Sequence, residues 1–131
     1  MKDPQEEKEK TRKTAELYFR GFSEELPFEL WRSFDKDLAR DLSLFITGKL
    51  YSRGKISHPL RQTIAVAALT VLEKPEELKL HLYAALNVGC DPKKLTEVFF
   101  QLATYAGMPT VNEALKVFRE VLKERGEWPI T

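Results

Sequence analysis

Prolines and glycines divide this sequence into helical segments, and that division constrains its fold more than any other feature. Most of the seven prolines and six glycines lie between stretches whose apolar residues recur every three or four positions. This spacing places apolar side chains on one face of an α-helix. No stretch shows the sustained alternation of apolar and polar residues that is typical of a half-buried strand. The sequence therefore predicts an all-α fold of about six helices.

Capping residues mark the ends of these predicted helices. Ser57, before His58 and Pro59, is typical of a helix N-cap followed by proline in the first turn. Gly89 is typical of the left-handed residue after a helix. In chain order the predicted helices cover 5–20, 27–46, 58–72, 75–87, 92–106 and 109–125, and glycines 48 and 54 are expected to loosen the chain around residues 49–55.

Several predicted helices carry more apolar surface than one small domain covers easily. One apolar face follows a spacing of three, four, four and three through Trp31, Phe34, Leu38, Leu42 and Phe45. The helix over residues 58–72 is apolar nearly all round, which predicts a buried central helix. Because small chains bury a low fraction of their surface, we expect the protein to form a homo-oligomer.

Length and charge restrict the organisation and the partners of the chain. Its 131 residues are expected to form one domain over 1–131, with residues 1–25 as a charged N-terminal helical extension. The 21 basic and 20 acidic residues give a net charge of +1. Nucleic-acid binders depend on neutralising phosphates, so we expect no nucleic-acid partner. The expected partner is a small-molecule substrate.

Targeting patterns and cysteine chemistry point to a reduced compartment. The longest apolar run, Ile64 to Leu69, is far shorter than the roughly 20 residues of a membrane span. The first 13 residues, MKDPQEEKEKTRK, lack the apolar region of a secretory signal. Cys90 is the single cysteine, which excludes an intramolecular disulfide and a zinc site built from cysteines. We expect a cytoplasmic protein with no membrane partner and no metal site.

His81 is the main candidate for acid–base chemistry, because the chain has only two histidines. Glu77 precedes it by four residues, so both side chains lie on one helical face. A carboxylate there can raise the imidazole pKa and orient the ring for general acid–base catalysis. The alternative interpretation is an exposed stabilising pair, which is common at this spacing.

A combination of residues resembles the carboxymuconolactone decarboxylase family over about Phe34 to Leu122. Upstream, Arg61 to Ala67 is similar to the family's Arg-x-x-Ile-x-x-Ala helix. The remaining matches to the family pattern are Glu77, Leu78, His81, Ala84, Ala85, Asn87, Gly89, Tyr105, Gly107 and Pro109.

The family shares its fold with the alkylhydroperoxidase D proteins, which are all-helical and commonly assemble as trimers or hexamers. The resemblance implies that fold and assembly for this chain. Those peroxidases carry Cys-x-x-Cys-x-x-x-His and an upstream glutamate; the corresponding positions here are Lys74, Glu77 and, for the glutamate, Gln62. Peroxide reduction needs a reactive thiolate and a resolving thiol. The sequence therefore disfavours a thiol peroxidase.

The resemblance implies a cofactor-free decarboxylase that removes carbon dioxide from a carboxy-lactone or a related small carboxylic acid. His81 is the candidate general acid/base, Glu77 its orienting partner, and Arg61 the candidate cation for the substrate carboxylate. Arg61 is equally consistent with a helix-end salt bridge. The candidate substrate-binding residues are His58, which also fits a turn-shaping role, Tyr105, for which packing before Gly107 is the favoured interpretation, and Glu97, which could instead brace an interface.

Two other functions stay open at the level of sequence. A family member that has lost catalysis would serve as a small-molecule-binding or assembly module. A residual antioxidant role through Cys90 would require a thiol pKa well below about 8.5. Convergence of His81, Glu77 and Arg61 on one pocket would favour the decarboxylase.

Overall fold

Seven α-helices and one π-helical segment make up the fold in a computed structural model that describes residues 3–131. Met1 and Lys2, the start of the predicted N-terminal extension, lie outside this range. No strand is present in residues 3–131, so the all-α prediction is confirmed. In chain order the elements are α1 (Pro4–Phe19), α2 (Pro27–Phe34), α3 (Lys36–Ser43), the π-helical segment (Leu44–Tyr51), α4 (His58–Val71), α5 (Pro75–Asn87), α6 (Pro92–Ala106) and α7 (Met108–Glu124).

Asp35 divides the second predicted helix into α2 and α3. Its backbone is extended, with φ −155° and ψ 111°, and its N–H donates to the Trp31 carbonyl at the end of α2. Its side chain accepts a hydrogen bond from the Leu38 N–H and caps the start of α3. The apolar spacing continues through this break, which is why periodicity predicted one helix.

The chain stays helical through Tyr51, so the loosening expected around residues 49–55 begins only at Ser52. Gly48 is buried in the π-helical segment, where α1 passes close to its backbone. A Cβ at this position would lie 2.1 Å from the Thr11 Oγ1 and 3.3 Å from the Thr11 Cβ. The missing side chain of Gly48 therefore permits close helix contact.

The central helix of the molecule is α5, not α4. From Leu78 to Ala85 every residue of α5 except Lys79 is buried, and the helix packs against α1, α4 and α7. In α4 only one face is buried, formed by Gln62, Val66 and Thr70. The other side of α4 exposes apolar side chains, namely Leu60, Ile64 and Val71, and Leu72 just after the helix is exposed as well. The prediction of a fully buried helix over 58–72 was therefore wrong for the single chain.

Polar contacts fasten the N-terminal segment to the core. Asn87 Nδ2 donates to the Tyr18 and Arg20 carbonyls at 2.9 and 2.7 Å, and Arg125 Nη1 donates to Asn87 Oδ1 at 2.9 Å. The segment predicted as an extension thus packs as α1 against α5 and the π-helical segment.

Lys79 joins three parts of the chain in one cluster of ion pairs. Its Nζ lies 2.5 Å from Glu24, 3.1 Å from Glu120 and 2.9 Å from Glu124. Burial lowers the pKa of Lys79, but the three carboxylates outweigh burial and raise it. The cluster connects the α1–α2 loop, α5 and α7.

Within residues 3–131, no helix has the length and apolar character needed to cross a membrane.

We expect Gly48→Ala to lower the free energy of unfolding by about 1–3 kcal/mol, because the added methyl group overlaps Thr11. Urea denaturation measures the change. Gly54→Ala is the matched control, since nothing lies within 4 Å of a Cβ there, and its effect should stay within about 0.5 kcal/mol. Adding Thr11→Ala to Gly48→Ala should restore part of the lost stability. Equal effects of the two glycine substitutions would contradict the close contact.

Candidate functional site

A cavity of about 410 Å³ opens between the N-terminal helices and α5. Its volume lies in the range of small-molecule sites. The walls come from α1, the segment before α2, α2 itself, α3, the π-helical segment and α5. The lining residues are Lys8, Thr11, Arg12, Ala15, Phe19, Leu26, Pro27, Phe28, Trp31, Arg40, Ser43, Leu44, Ile46, Thr47, Tyr51, Leu80 and His81.

His81 lies in the wall of this cavity and is 9% exposed. Its Nδ1 donates to the Gln62 Oε1 at 2.8 Å, and the Phe19 ring packs edge-on against it with centroids 6.5 Å apart. Burial lowers the pKa of His81 to about 4. Because an amide oxygen only accepts hydrogen bonds, Nδ1 carries the proton and Nε2 keeps its lone pair. His81 is therefore a neutral imidazole whose Nε2 is able to accept a proton.

Gln62 holds His81, although it is not among the site residues predicted from the sequence. It lies on the buried face of α4 and is 1% exposed. Its Nε2 has no hydrogen-bond partner among residues 3–131. Burial raises the pKa of Tyr18, and the Gln62 amide acts against that rise without reaching hydrogen-bond geometry. The signal in the sequence was the alignment of Gln62 with the glutamate of the related peroxidases.

Glu77 does not orient His81, contrary to the prediction from the sequence. It is exposed in the first turn of α5, and the described hydrogen bond of His81 goes to Gln62. Burial begins one residue later, at Leu78. The i,i+4 spacing places the two side chains on one face of α5, but the end of that face is solvated. The expected increase in the His81 pKa is replaced by a decrease, because burial dominates.

Tyr51 connects the cavity with two of the predicted catalytic residues. Burial raises its pKa, the charge of Arg61 lowers it, and the charge of Glu77 raises it further. Arg61 does not line the cavity; its Nη2 donates to the Arg53 carbonyl at 3.0 Å, and its buried Nε lacks a partner within the described chain. Of the three predicted catalytic residues, His81 alone lines the cavity as described.

His58 holds Tyr18 beside this site and does not line the cavity. The His58 Nδ1 and the Tyr18 hydroxyl are 2.5 Å apart. The Tyr18 ring packs edge-on against Tyr51, with centroids 5.6 Å apart. His58 therefore supports the cavity wall through two tyrosines and has no direct contact with the cavity space.

Tyr105 and Glu97 lie away from the cavity. Both are exposed on α6, which does not line the cavity. Tyr105 is 74% exposed, so the favoured interpretation of packing before Gly107 was wrong for the single chain. The structure brings neither residue to His81.

Cys90 is half-buried after α5 and has the environment of an unreactive thiol. Its Sγ donates to the Pro59 carbonyl at 3.4 Å and lies 3.7 Å from the Thr63 hydroxyl. Burial raises the pKa of the thiol, and the Thr63 contact lowers it by less. A redox-active cysteine requires a lowered thiol pKa.

In residues 3–131 no group of three or more His, Cys, Asp or Glu side chains could hold a metal ion.

Comparisons with known proteins agree with the resemblance in the sequence. The chain is 32% identical over 96 residues to 4-carboxymuconolactone decarboxylase from Acinetobacter baylyi, covering 73% of this chain and 72% of that protein. It is 28% identical over 83 residues to an uncharacterized 15.0 kDa protein of the nqo9-nqo10 intergenic region in Paracoccus denitrificans, covering 61% of each chain. The family model for carboxymuconolactone decarboxylases matches residues 36–120. The chain belongs to the carboxymuconolactone decarboxylase family.

Proposed function

We propose that the protein decarboxylates a carboxy-lactone or a related small carboxylic acid, with His81 as the general acid/base. The observation that carries the proposal is the neutral, buried imidazole in the cavity wall, fixed at Nδ1 by Gln62. The named activity of the Acinetobacter relative supports this class of reaction. No cofactor is part of the proposal.

Decarboxylation needs one proton to quench the electron pair that is left on the substrate. Breaking the C–C bond releases carbon dioxide and leaves the electron pair on the substrate, delocalised toward the lactone carbonyl. A bound carboxylate in the cavity raises the His81 pKa, because an opposite charge favours imidazolium. Nε2 then takes a proton from solvent and gives it to the carbanion, which returns His81 to the neutral form.

Tyr51 is suited to stabilise the developing negative charge. It lines the cavity, and burial raises its pKa, so its hydroxyl stays protonated and donates a hydrogen bond. In this proposal Arg61 contributes positive charge beside Tyr51, and His58 positions Tyr18 against Tyr51. Tyr105 and Glu97 receive no role at this cavity.

Binding without catalysis is the second candidate function. It is favoured by the position of Glu77 and Arg61, neither of which lines the cavity. A wild-type protein that binds carboxy-lactones but releases no carbon dioxide would establish this alternative.

His81→Ala should reduce turnover of a carboxy-lactone by about 10²- to 10⁴-fold, the usual contribution of a general acid or base. Carbon dioxide release measures the rate, and circular dichroism checks that the variant stays folded. Gln101→Ala, at an exposed position of α6, is the control and should keep the wild-type rate. Wild-type turnover in folded His81→Ala would remove His81 from the mechanism.

The pH dependence should show one proton taken up with the substrate. His81 has a pKa of about 4 in the free protein, so above pH 4 the imidazole must take up a proton from solvent when the substrate binds. We expect kcat/KM to fall about tenfold per pH unit above that value, while kcat stays level until the raised pKa of the complex is reached. Steady-state kinetics from pH 5 to 8 measures both constants.

Gln62→Glu tests the same linkage. A carboxylate beside Nδ1 favours imidazolium, so the decline in kcat/KM should begin at a higher pH. Histidine resonances in NMR should show the matching increase in the His81 pKa. An unchanged pH profile together with a raised His81 pKa would contradict proton transfer by His81.

We also propose that the protein assembles as a homo-oligomer, a trimer or a hexamer, through the apolar face of α2, α3 and the π-helical segment. The support is the exposure of this face in the single chain. Phe34 is 86% exposed, and Leu38 and Phe45 are each 59% exposed. Exposed apolar patches of this kind mark interaction surfaces, and the resemblance to the alkylhydroperoxidase D fold implies a trimer or a hexamer.

Leu38→Glu combined with Phe45→Glu should convert the oligomer to a 15.2 kDa monomer, because two charges would be buried unpaired in the contact. Light scattering after size-exclusion chromatography measures the mass. Leu17→Glu, on the exposed side of α1, is the matched control and should leave the assembly intact. A wild-type monomer, or an intact oligomer in the double variant, would contradict this interface.

A further inference from the structure

We propose that the cavity at His81 binds a monocarboxylate with a large apolar body, such as a medium-length alkyl chain or a saturated ring. The proposal rests on the proposed function only in taking this cavity as the substrate site. It concerns the class of ligand, and binding measurements test it independently of turnover.

The walls of the cavity are mainly apolar. They include three aromatic rings and four aliphatic side chains, which are Phe19, Phe28, Trp31, Leu26, Leu44, Ile46 and Leu80. Removing apolar ligand surface from water is favourable by roughly 25 cal/mol per Å². Moving a charged group into such walls without a partner is costly. A compact ligand with several charges would therefore lose hydration that these walls do not replace.

The charged side chains that line the cavity are all cations, namely Lys8, Arg12 and Arg40. Two of the three are already paired with carboxylates of the protein. Arg12 is paired with Glu9 and Glu16. Arg40 is paired in the same way with Asp37 and Asp41.

Lys8 forms no ion pair within residues 3–131, and no carboxylate side chain is part of the described lining. One uncompensated cation beside an apolar cavity fits one carboxylate. The polar groups Tyr51 and His81 then face the reacting part of the ligand, while the aromatic and aliphatic walls cover its apolar body.

Trp31 provides a direct reporter of binding. It lines the cavity, whereas Trp128, the other tryptophan, lies near the C-terminus outside it. Trp128→Phe therefore leaves one emitting residue at the site. Octanoate and 3-cyclohexylpropanoate are suitable probes because neither absorbs where tryptophan does. Tricarballylate is the compact polyanion for comparison, and octanol separates the contribution of the carboxylate from that of the chain.

We expect the two apolar monocarboxylates to change Trp31 emission and to bind at least about tenfold more tightly than tricarballylate, a difference of about 1.4 kcal/mol. Octanol should bind more weakly than octanoate, and Lys8→Gln should remove most of that difference. Equal or tighter binding of tricarballylate, or no emission change with any monocarboxylate, would overturn the proposal.

Cavity filling distinguishes this site from nonspecific binding. Ala15→Phe places a ring in the cavity wall and should weaken octanoate binding by about tenfold or more. Gln5→Phe adds the same ring on an exposed part of α1 outside the cavity and should leave binding unchanged. Equal affinity in both variants would place the ligand elsewhere.

Binding and turnover by the wild type together separate failure of this inference from failure of the proposed function. Octanoate binding without turnover of any carboxylic acid would support the ligand class and contradict the decarboxylase. Turnover of a compact polyanion, with no binding of apolar acids, would support the decarboxylase and contradict the ligand class.

Discussion

The hydrogen bond from His81 Nδ1 to Gln62 Oε1 is the contact on which the site depends. It joins the buried faces of α4 and α5 at 2.8 Å, and it fixes the imidazole so that Nε2 remains unprotonated. An amide partner adds no charge, so burial is free to depress the His81 pKa to about 4. A glutamate at the same position would favour imidazolium. The glutamine at residue 62 therefore leaves the His81 imidazole neutral, whereas a glutamate would favour its charged form.

The cavity exists because α1 is held over α5. Asn87, at the end of α5, donates hydrogen bonds to two carbonyls at the end of α1. Arg125 in turn donates a hydrogen bond to the Asn87 side chain. Gly48 lets α1 approach the π-helical segment closely. The position of α1 places Phe19 against His81 and completes one wall. The N-terminal helix is thus part of the site as well as of the fold.

Apolar periodicity identified the helices, but it did not identify the surfaces against which their apolar faces pack. The spacing through Phe34, Leu38 and Phe45 is real, but this face is exposed in the single chain. The same is true of one side of α4, where Ile64 is 53% exposed. Periodicity reports that a helix has an apolar face. It does not report whether that face meets the core of its own chain, a ligand cavity or a second subunit.

The sequence by itself determined the helical class, most helix ends and the family, and it singled out His81 as the candidate acid–base residue. These properties depend on local spacing, capping residues and short motifs. The break at Asp35, the partner of His81 and the composition of the cavity were decided by tertiary structure. Glu77 shares a helical face with His81, but it lies in the solvated first turn of α5. Gln62 is 19 residues away in sequence and meets His81 because α4 packs against α5. Spacing along one helix determines which side chains share a face, whereas packing between helices determines which of them are buried together.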